Sequence, residues 1–518
     1  MKKNLLITVY IVISLLILFL SVRGLPGNPD PIQLNDLKWK NEGPLELSPE
    51  RGRYALLYSI VEDQSATFSL GLARFTAPDV AYSNGNYVSL FAPGLSFISV
   101  PGYLIGKYLG SSQVGAFMTV SLFALFNLAL IYLISVRLGA NKIAATLGGM
   151  VFLFATPSYA YAVNLYQHHI TTFLILLSVY LLIRSTSLLS LSLVMFLFAF
   201  AVPLDYPNLV FMTPIAIYAA FNFFKVLKEK EMIIIKPIYI KMISVLGMSL
   251  PIAFFLWFNT LSYGSPFNML GSSNLEVVET IDEKGKPHFK GSENQATAVT
   301  SVEEKPTSGI SFFQTRNLLN GFYIHFFSPE RGIVYFTPVI LMGFIGLFIA
   351  YRRKLIISQV LLGVMGLNIL LYSMWGDPWG GWAFGSRYLI PTYAVLSVFL
   401  SLALCRFRKK SLFLLPFTIL LSYSIFVNTL GAITSSRIPT KPEVLALEQL
   451  SGREEKYTYE RSYDVLMAGI SKSYVFQIYA KEYLTAAQYF TLLLVILLSM
   501  TLPLVVVLRL IKGEKNDV

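Results

Sequence analysis

Glu50 stands in the run Ser48-Pro49-Glu50-Arg51-Gly52-Arg53-Tyr54-Ala55, a carboxylate set among arginines shortly after an apolar stretch. A cationic neighbour lowers a carboxyl pKa and keeps the group ionised, the form that takes a proton from a hydroxyl. The same residues equally fit a solvated glutamate at the N-terminus of a short helix. In such a helix Arg53, Tyr54, Leu57 and Tyr58 share a face, which would turn aromatics to the membrane and Glu50 to a cavity. Asp79 is a second carboxylate of this stretch, followed by Tyr82-Ser83-Asn84-Gly85-Asn86-Tyr87. The rings of Tyr82 and Tyr87 suit a flat sugar face and the Asn84 amide its hydroxyls, but an Asx turn followed by a tight Asn-Gly turn needs the same residue types.

His168 and His169 are adjacent among four histidines. Neighbours on a helix point about 100° apart, so the two cannot hold one metal ion in the i, i+4 manner. One of them facing a cavity would suit a phosphate or a hydroxyl. The stretch from Trp375 to Tyr388 gathers three tryptophans (Trp375, Trp379, Trp382), four glycines, Asp377 and Arg387 in fourteen residues. Tryptophans at a membrane surface form aromatic belts. Glycines also let backbone approach a ligand, and Arg387 offers a planar fork for a phosphate oxygen. Arg51, Arg53 and Arg331 can add charge to the same phosphate.

The elements that must position these groups are apolar. The 518-residue chain is 55% hydrophobic and 14% charged, with a mean hydropathy of +0.60. Stretches of about 20 apolar residues recur along its length, as helices crossing a hydrocarbon layer of about 30 Å require. The fold class expected is an all-α polytopic membrane protein of about twelve transmembrane helices, with interfacial helices in its first outer loop. Residues 1–22 hold the first span, read as retained because Leu5 to Leu20 is long and no small-residue cleavage site follows. Residues 23–112 form an outer loop, and 113–261 spans two to seven. A second outer region covers 262–331, with 272–307 expected to be mobile or irregular. Residues 332–436 hold spans eight to eleven with the outer loop 374–388, 437–485 an outer segment without firm assignment, and 486–518 the last span and tail. This arrangement puts both termini and the compact Lys/Arg clusters inside. It also puts Glu50, Asp79, His168, His169, Asp205, Glu330, Asp377 and Arg387 on one outer face, where a polar site is expected.

The excess of 41 basic over 29 acidic residues therefore reads as loop charge, not as a nucleic-acid surface. Cys405 is the one cysteine, which excludes an internal disulfide and a thiolate metal site. The chain has no P-loop, dinucleotide fingerprint, His-Glu-x-x-His or Gly-x-Ser-x-Gly elbow. No cofactor motif is present, and a divalent cation is the one cofactor left open.

A first span, a long outer loop with a carboxylate, interfacial helices and then a bundle of spans is similar to the layout of the GT-C superfamily of membrane glycosyltransferases. Pro49-Glu50-Arg51-Gly52-Arg53-Tyr54-Ala55 resembles the Pro-Asp-Glu-Thr-Arg-Tyr-Ala type of motif in aminoarabinose transferases of lipid A and protein-mannosyltransferase-like relatives. In those, the acidic residue after the proline is catalytic, a position held here by Glu50. The run from Asn84 to Gly94 is similar to Asn-Gly-x-Tyr-Tyr-Ser-x-Lys-Ala-Pro-Gly, with Phe91 in place of the lysine. Ser328 to Gly332 and Trp379 to Tyr388 also resemble stretches of this group. Two departures are the glutamate where aspartate is common and His168-His169 where relatives often have an aspartate.

The resemblance implies transfer of a sugar from a polyprenyl-phosphate carrier to a glycan, lipid or protein acceptor, with inversion, at the outer face of a prokaryotic plasma membrane. Glu50, assisted by Asp79, would remove the acceptor proton. Arg51, Arg53, Arg331, Arg387, His168 and His169 would hold the phosphate and donor. Tyr54, Tyr82, Asn84, Tyr87, Asp205, Trp375, Asp377, Trp379 and Trp382 would meet sugar or acceptor. The competing readings are a transporter or flippase for a lipid-linked saccharide, and a ligase that transfers a whole oligosaccharide. The two unequal outer regions speak for a site on one side and against an alternating one.

Overall fold

The computed structural model describes residues 5–229, 232–268, 275–289, 313–452 and 454–511. Six helices among them are long and apolar enough to cross a membrane: Ser112–Arg137, Tyr239–Tyr263, Ile356–Ser373, Arg387–Phe407, Ser411–Ile433 and Ala486–Leu510. Six shorter apolar helices accompany them, Leu5–Ser21, Lys142–Phe154, His168–Arg184, Leu188–Leu204, Asn208–Phe221 and Pro338–Arg352. The first group meets both the length and the apolarity of a span; the second group is as apolar but shorter. Each of the expected spans falls on one of these helices, and the protein is a polytopic membrane protein.

The helix Arg387–Phe407 runs through the middle of the bundle, with every residue from Leu389 to Leu404 buried. The helix Gly94–Tyr108, where an interfacial segment was expected, lies along Ser112–Arg137 at van der Waals range. Glycine makes that approach, since a Cβ on Gly115 would stand 2.0 Å from the carbonyl oxygen of Gly102.

The all-α expectation needs correction. Five strands, β1 (Thr67–Phe68), β2 (Val80–Ser83), β3 (Asn86–Ser89), β6 (Glu276–Ile281) and β7 (Pro287–Phe289), form an antiparallel sheet in the order β1-β3-β2-β6-β7. A separate hairpin joins β4 (Phe224–Glu229) and β5 (Met232–Pro237) in the basic stretch after Asn208–Phe221. Asn84 and Gly85 carry φ of 50° and 83° between β2 and β3, the left-handed pair that a two-residue hairpin turn demands. That is the turn reading of Asn84-Gly85, realised. Strand β6 comes from the second outer region, so the sheet ties the two outer regions together. Within the stretch expected to be irregular, 275–289 is this β6–β7 hairpin, while 272–274 and 290–307 lie outside the described residues, as do Lys512 and Lys515.

A buried ionic cluster joins the first helix to residues far along the chain. Arg23, at the end of the first helix, pairs with Glu46 at 2.9 Å and donates to the carbonyls of Gly431 and Ala432. The same Glu46 oxygen accepts the Ser436 amide at 2.8 Å, and Arg437 donates to the Glu46 carbonyl. Burial pushes the Glu46 carboxyl up, but Arg23, Lys472 and Arg437 together outweigh it and hold it below the usual range. The outer segment 437–485 is thereby anchored to the first outer loop.

Gly115→Leu is expected to force the two helices apart and lower stability by about 1–3 kcal/mol or more. Gly366→Ala, where a Cβ meets nothing within 4 Å, should stay within about 0.5 kcal/mol; apparent Tm of the detergent-solubilised protein compares the two.

Candidate active site

A cavity of about 350 Å³ opens among helix ends and the loops between them. Arg53 enters it from the helix Ser48–Tyr58, and Tyr166, Gln167 and His168 from the turn before His168–Arg184. Asp205 enters from the end of Leu188–Leu204, and Trp375, Arg387 and Tyr388 from the tryptophan-glycine loop. Leu209, Val210 and Phe313 make its apolar side.

Arg53 and Arg387 flank one ring. Their guanidinium carbons lie 5.6 and 5.0 Å from the Tyr166 centroid. Arg53 also lies 4.7 Å over Phe91, and its Nη1 donates to the Pro49 carbonyl at 2.9 Å. Arg387 donates through Nη2 to the Gly380 carbonyl at 2.7 Å. Its Nε and Nη1 are buried without a partner, the Tyr388 hydroxyl lying beside them but outside hydrogen-bonding geometry. Buried and unpartnered too are the Tyr166 hydroxyl and Nε2 of His168. Neither guanidinium forms an ion pair among the described residues. Buried donors without partners are rare, because each forfeits its hydration. Here unpartnered polar groups from two separate elements converge on one space that Arg53 enters from a third, as a seat for an anion does.

Asp205 is the carboxylate of this cavity. Its Oδ2 accepts from the Gln167 amide at 2.7 Å. Burial raises its pKa, against the Gln167 hydrogen bond and the charges of Arg53 and Arg387. Burial likewise lowers the pKa of Arg53, with Asp205 the leading opposing charge.

Glu50 lies elsewhere. Its Oε2 accepts the backbone amides of Glu46 at 2.8 Å and Leu47 at 3.3 Å, half of a capping box at the start of its own helix, and it is absent from the cavity wall. Oε1 is buried without a partner. The arginines beside Glu50 in sequence do not lower its pKa. Burial raises its pKa to about 7, because Arg51 and Arg53 aim their guanidiniums away and Arg23 opposes only in part. Tyr54, expected toward the membrane, is fully buried and pairs with the Ser112 hydroxyl.

Asp79 accepts the Ser48 hydroxyl outside the cavity wall. Tyr82, Asn84 and Tyr87 belong to the β2–β3 hairpin, with the Tyr87 hydroxyl on the Gly285 carbonyl. Arg51 bonds the carbonyls of Leu45 and Glu46. Arg331 spends its guanidinium on the carbonyls of Trp379, Glu330, Gly381 and Ile438, a structural role in place of the expected phosphate contact. His169 meets the Ser158 carbonyl and the Asn127 amide. Asp377 accepts the amides of Trp379 and Gly381, shaping its loop, and Trp382 bonds Glu443. Of the three loop tryptophans only Trp375 lines the cavity. Tyr372, Tyr388 and Gln167 were not singled out from sequence. The one signal was their position beside Trp375, Arg387 and His168.

No group of three His, Cys, Asp or Glu side chains gathers as a metal ion requires among the described residues. The two histidines diverge, so no step is routed through a cation.

No protein-family model and no curated protein matches the chain. Among solved structures it is similar to ArnT from Cupriavidus metallidurans bound to undecaprenyl phosphate, at 15% identity and a TM-score of 0.47, over 98% of this chain and 77% of that one. It is also similar to the Archaeoglobus fulgidus oligosaccharyltransferase in the apo form, at 14% identity and a TM-score of 0.46, over 94% of this chain and 56% of that one. A complex of the archaeal oligosaccharyltransferase AglB with an inhibitory peptide and a dolichol-phosphate matches at 12% identity and a TM-score of 0.40, again over 94% and 56%. The chain thus spans little more than half the length of the oligosaccharyltransferase. At TM-scores below 0.5 these likenesses carry nothing about its chemistry, which rests on the cavity.

Glu50 gives a signed pH dependence. Its folded pKa of about 7 lies above the ordinary glutamate value of 4.5, so the folded state holds the extra proton between them. Stability from this group is full below about 4.5 and is lost as pH rises to about 7, on the order of 3 kcal/mol. The fall in apparent Tm between pH 5 and 7.5 should be smaller in Glu50→Gln than in wild type.

Proposed function

We propose that the protein is a membrane glycosyltransferase of GT-C type that moves a sugar from a polyprenyl-phosphate carrier to an extracytoplasmic glycan, lipid or protein acceptor by an inverting single displacement. The observation that carries this reading is the pair Arg53 and Arg387, two buried guanidiniums beside Tyr166 with no ion-pair partner among the described residues, Arg387 with Nε and Nη1 unspent. They suit a phosphate at the place where an apolar wall of Leu209, Val210 and Phe313 offers room for a lipid tail. Tyr166 and His168 add a hydroxyl and a ring nitrogen to the same seat, and Trp375 with the stacked Tyr372–Tyr388 pair, 4.2 Å between centroids, gives flat rings for a sugar face.

Positive charge held in place at the leaving phosphate stabilises the charge that develops there as the glycosidic bond breaks. A phosphate departs as a stable anion, so the cavity needs a base for the acceptor and no acid for the leaving group. The membrane frame that goes with this reading has about twelve spans, both termini cytoplasmic and the cavity on the outer face of a prokaryotic plasma membrane. The clustering of Lys225, Lys236, Lys241, Arg352, Arg353, Arg406 and Arg408 at the opposite helix ends supports that orientation. The sugar is a hexose or a pentose.

Undecaprenyl phosphate binding to the purified protein tests the seat. Arg387→Ala and Arg53→Ala should each weaken it roughly 10- to 100-fold, the worth of a charge-assisted hydrogen bond in a dry site. Arg387→Lys should not restore a planar fork, and Arg51→Ala should bind within about twofold. Equal affinity in wild type and both alanine variants would refute the seat.

A further inference from the structure

We infer that Asp205 is the base that removes the acceptor proton in the transfer proposed above, a reading on which this inference rests. The first outer loop supplies the two carboxylates that a motif would choose, but neither lines the cavity: Glu50 accepts the Glu46 and Leu47 amides through Oε2, with Oε1 buried and unpartnered, and Asp79 accepts the Ser48 hydroxyl. Glu330 accepts the Lys441 amide, and Asp377 shapes its loop. Asp205 alone among these acids lines the cavity.

Its placement is held from both sides of the chain. Asp205 closes the helix Leu188–Leu204, its amide on the Ala201 carbonyl at 3.1 Å and its carbonyl accepting the Asn208 amide at 3.0 Å. Pro203 and Pro207 flank it and limit the backbone. Gln167 fixes Oδ2, and Oδ1 makes no hydrogen bond. Asp205 is half-buried and lines the cavity. A carboxylate clamped through one oxygen and open through the other is oriented to receive a proton.

Charge supports the same residue. Before transfer, the two guanidiniums face one negative charge on Asp205 and one on the donor's phosphodiester. In the step, the acceptor oxygen bonds to the anomeric carbon while the bond from that carbon to the phosphate oxygen breaks. The electron pair of the broken bond leaves with the phosphate, and the acceptor proton passes to Oδ1 of Asp205. Afterwards the phosphate monoester carries both negative charges, Asp205 is neutral, and the two guanidiniums remain matched. A base outside the cavity would leave charged Asp205 beside the departing dianion, a repulsion that a dry site magnifies. Asp205 returns its proton to solvent as the products leave.

The test uses the full chain, purified and supplied with a panel of undecaprenyl-phosphate hexoses and pentoses and with membrane acceptors from the host, with undecaprenyl phosphate binding measured in parallel. Asp205→Asn should bind undecaprenyl phosphate at least as tightly as wild type while its turnover falls about 100-fold or more. Asp205→Glu should recover part of that turnover, which a purely structural loss would not allow, and Glu50→Gln should stay within a few-fold of wild type. Wild-type turnover in Asp205→Asn, or the large loss appearing in folded Glu50→Gln instead, would overturn the assignment and leave the transferase reading standing. Wild type that neither binds the lipid phosphate nor transfers sugar would overturn both.

Discussion

A guanidinium taken out of water keeps its charge and demands a partner for each N–H, and Arg387 has been given only one. A buried charged group with unmet donors costs several kcal/mol, so the surroundings must hold it there. The Gly380 carbonyl takes one donor from a loop that Asp377 shapes through two backbone amides. The rings of Tyr166 and Tyr388 lie 5.0 and 5.5 Å from the guanidinium carbon, and Tyr372 stacks behind Tyr388. Tyr166 in turn stacks on His168 and meets Tyr161 edge-on. Much of the aromatic content of the outer face is thus spent on presenting one cation to an empty-sided space, and Arg53 faces it across the same ring.

Arg23 is the contrasting case. It is fully buried as well, but it meets Glu46 and two backbone carbonyls. Its cluster joins the first helix, the first outer loop, the end of Ser411–Ile433 and the outer segment beyond it. Two residues past Glu46 begins Ser48–Tyr58, the helix that carries Arg53. Holding Glu46 therefore fixes where Arg53 points. Glu50 belongs to this support, since its carboxylate ties the helix start to the amides of Glu46 and Leu47. The difference between the two arginines separates a charge that organises the fold from a charge that waits for a ligand.

Much of this was legible in the sequence, because hydrophobic length and the sidedness of Lys and Arg are strong signals. Apolar runs gave the helices, and of the eight polar residues expected on one face the cavity takes His168, Asp205 and Arg387. What was not legible depends on rotation and long-range pairing. Glu50 and Arg53 are three residues apart on one helix, yet one faces a backbone turn and the other the cavity, a distinction set by packing against Phe91 and Tyr166. The sheet was missed because β2 pairs with β6 across some two hundred residues, and short outer strands leave no periodicity that a membrane-helix pattern would notice. Asn84-Gly85 did carry the hairpin signal, read beside a sugar-binding alternative that local residues alone could not rank. Arg331 and Arg387 look alike in sequence, each beside glycines at a membrane surface. Only the four carbonyls around Arg331 mark it as structural.

The central claim is that the space between Arg53 and Arg387 is a phosphate seat beside a lipid groove. An electron cryo-microscopy structure of the full chain in lipid nanodiscs with undecaprenyl phosphate tests it most directly. The claim predicts density for the phosphate within hydrogen-bonding distance of Arg387 Nε or Nη1 and of Arg53, with the isoprenoid chain leaving past Leu209 and Val210. A phosphate bound elsewhere, with both guanidiniums still unpartnered, would contradict it.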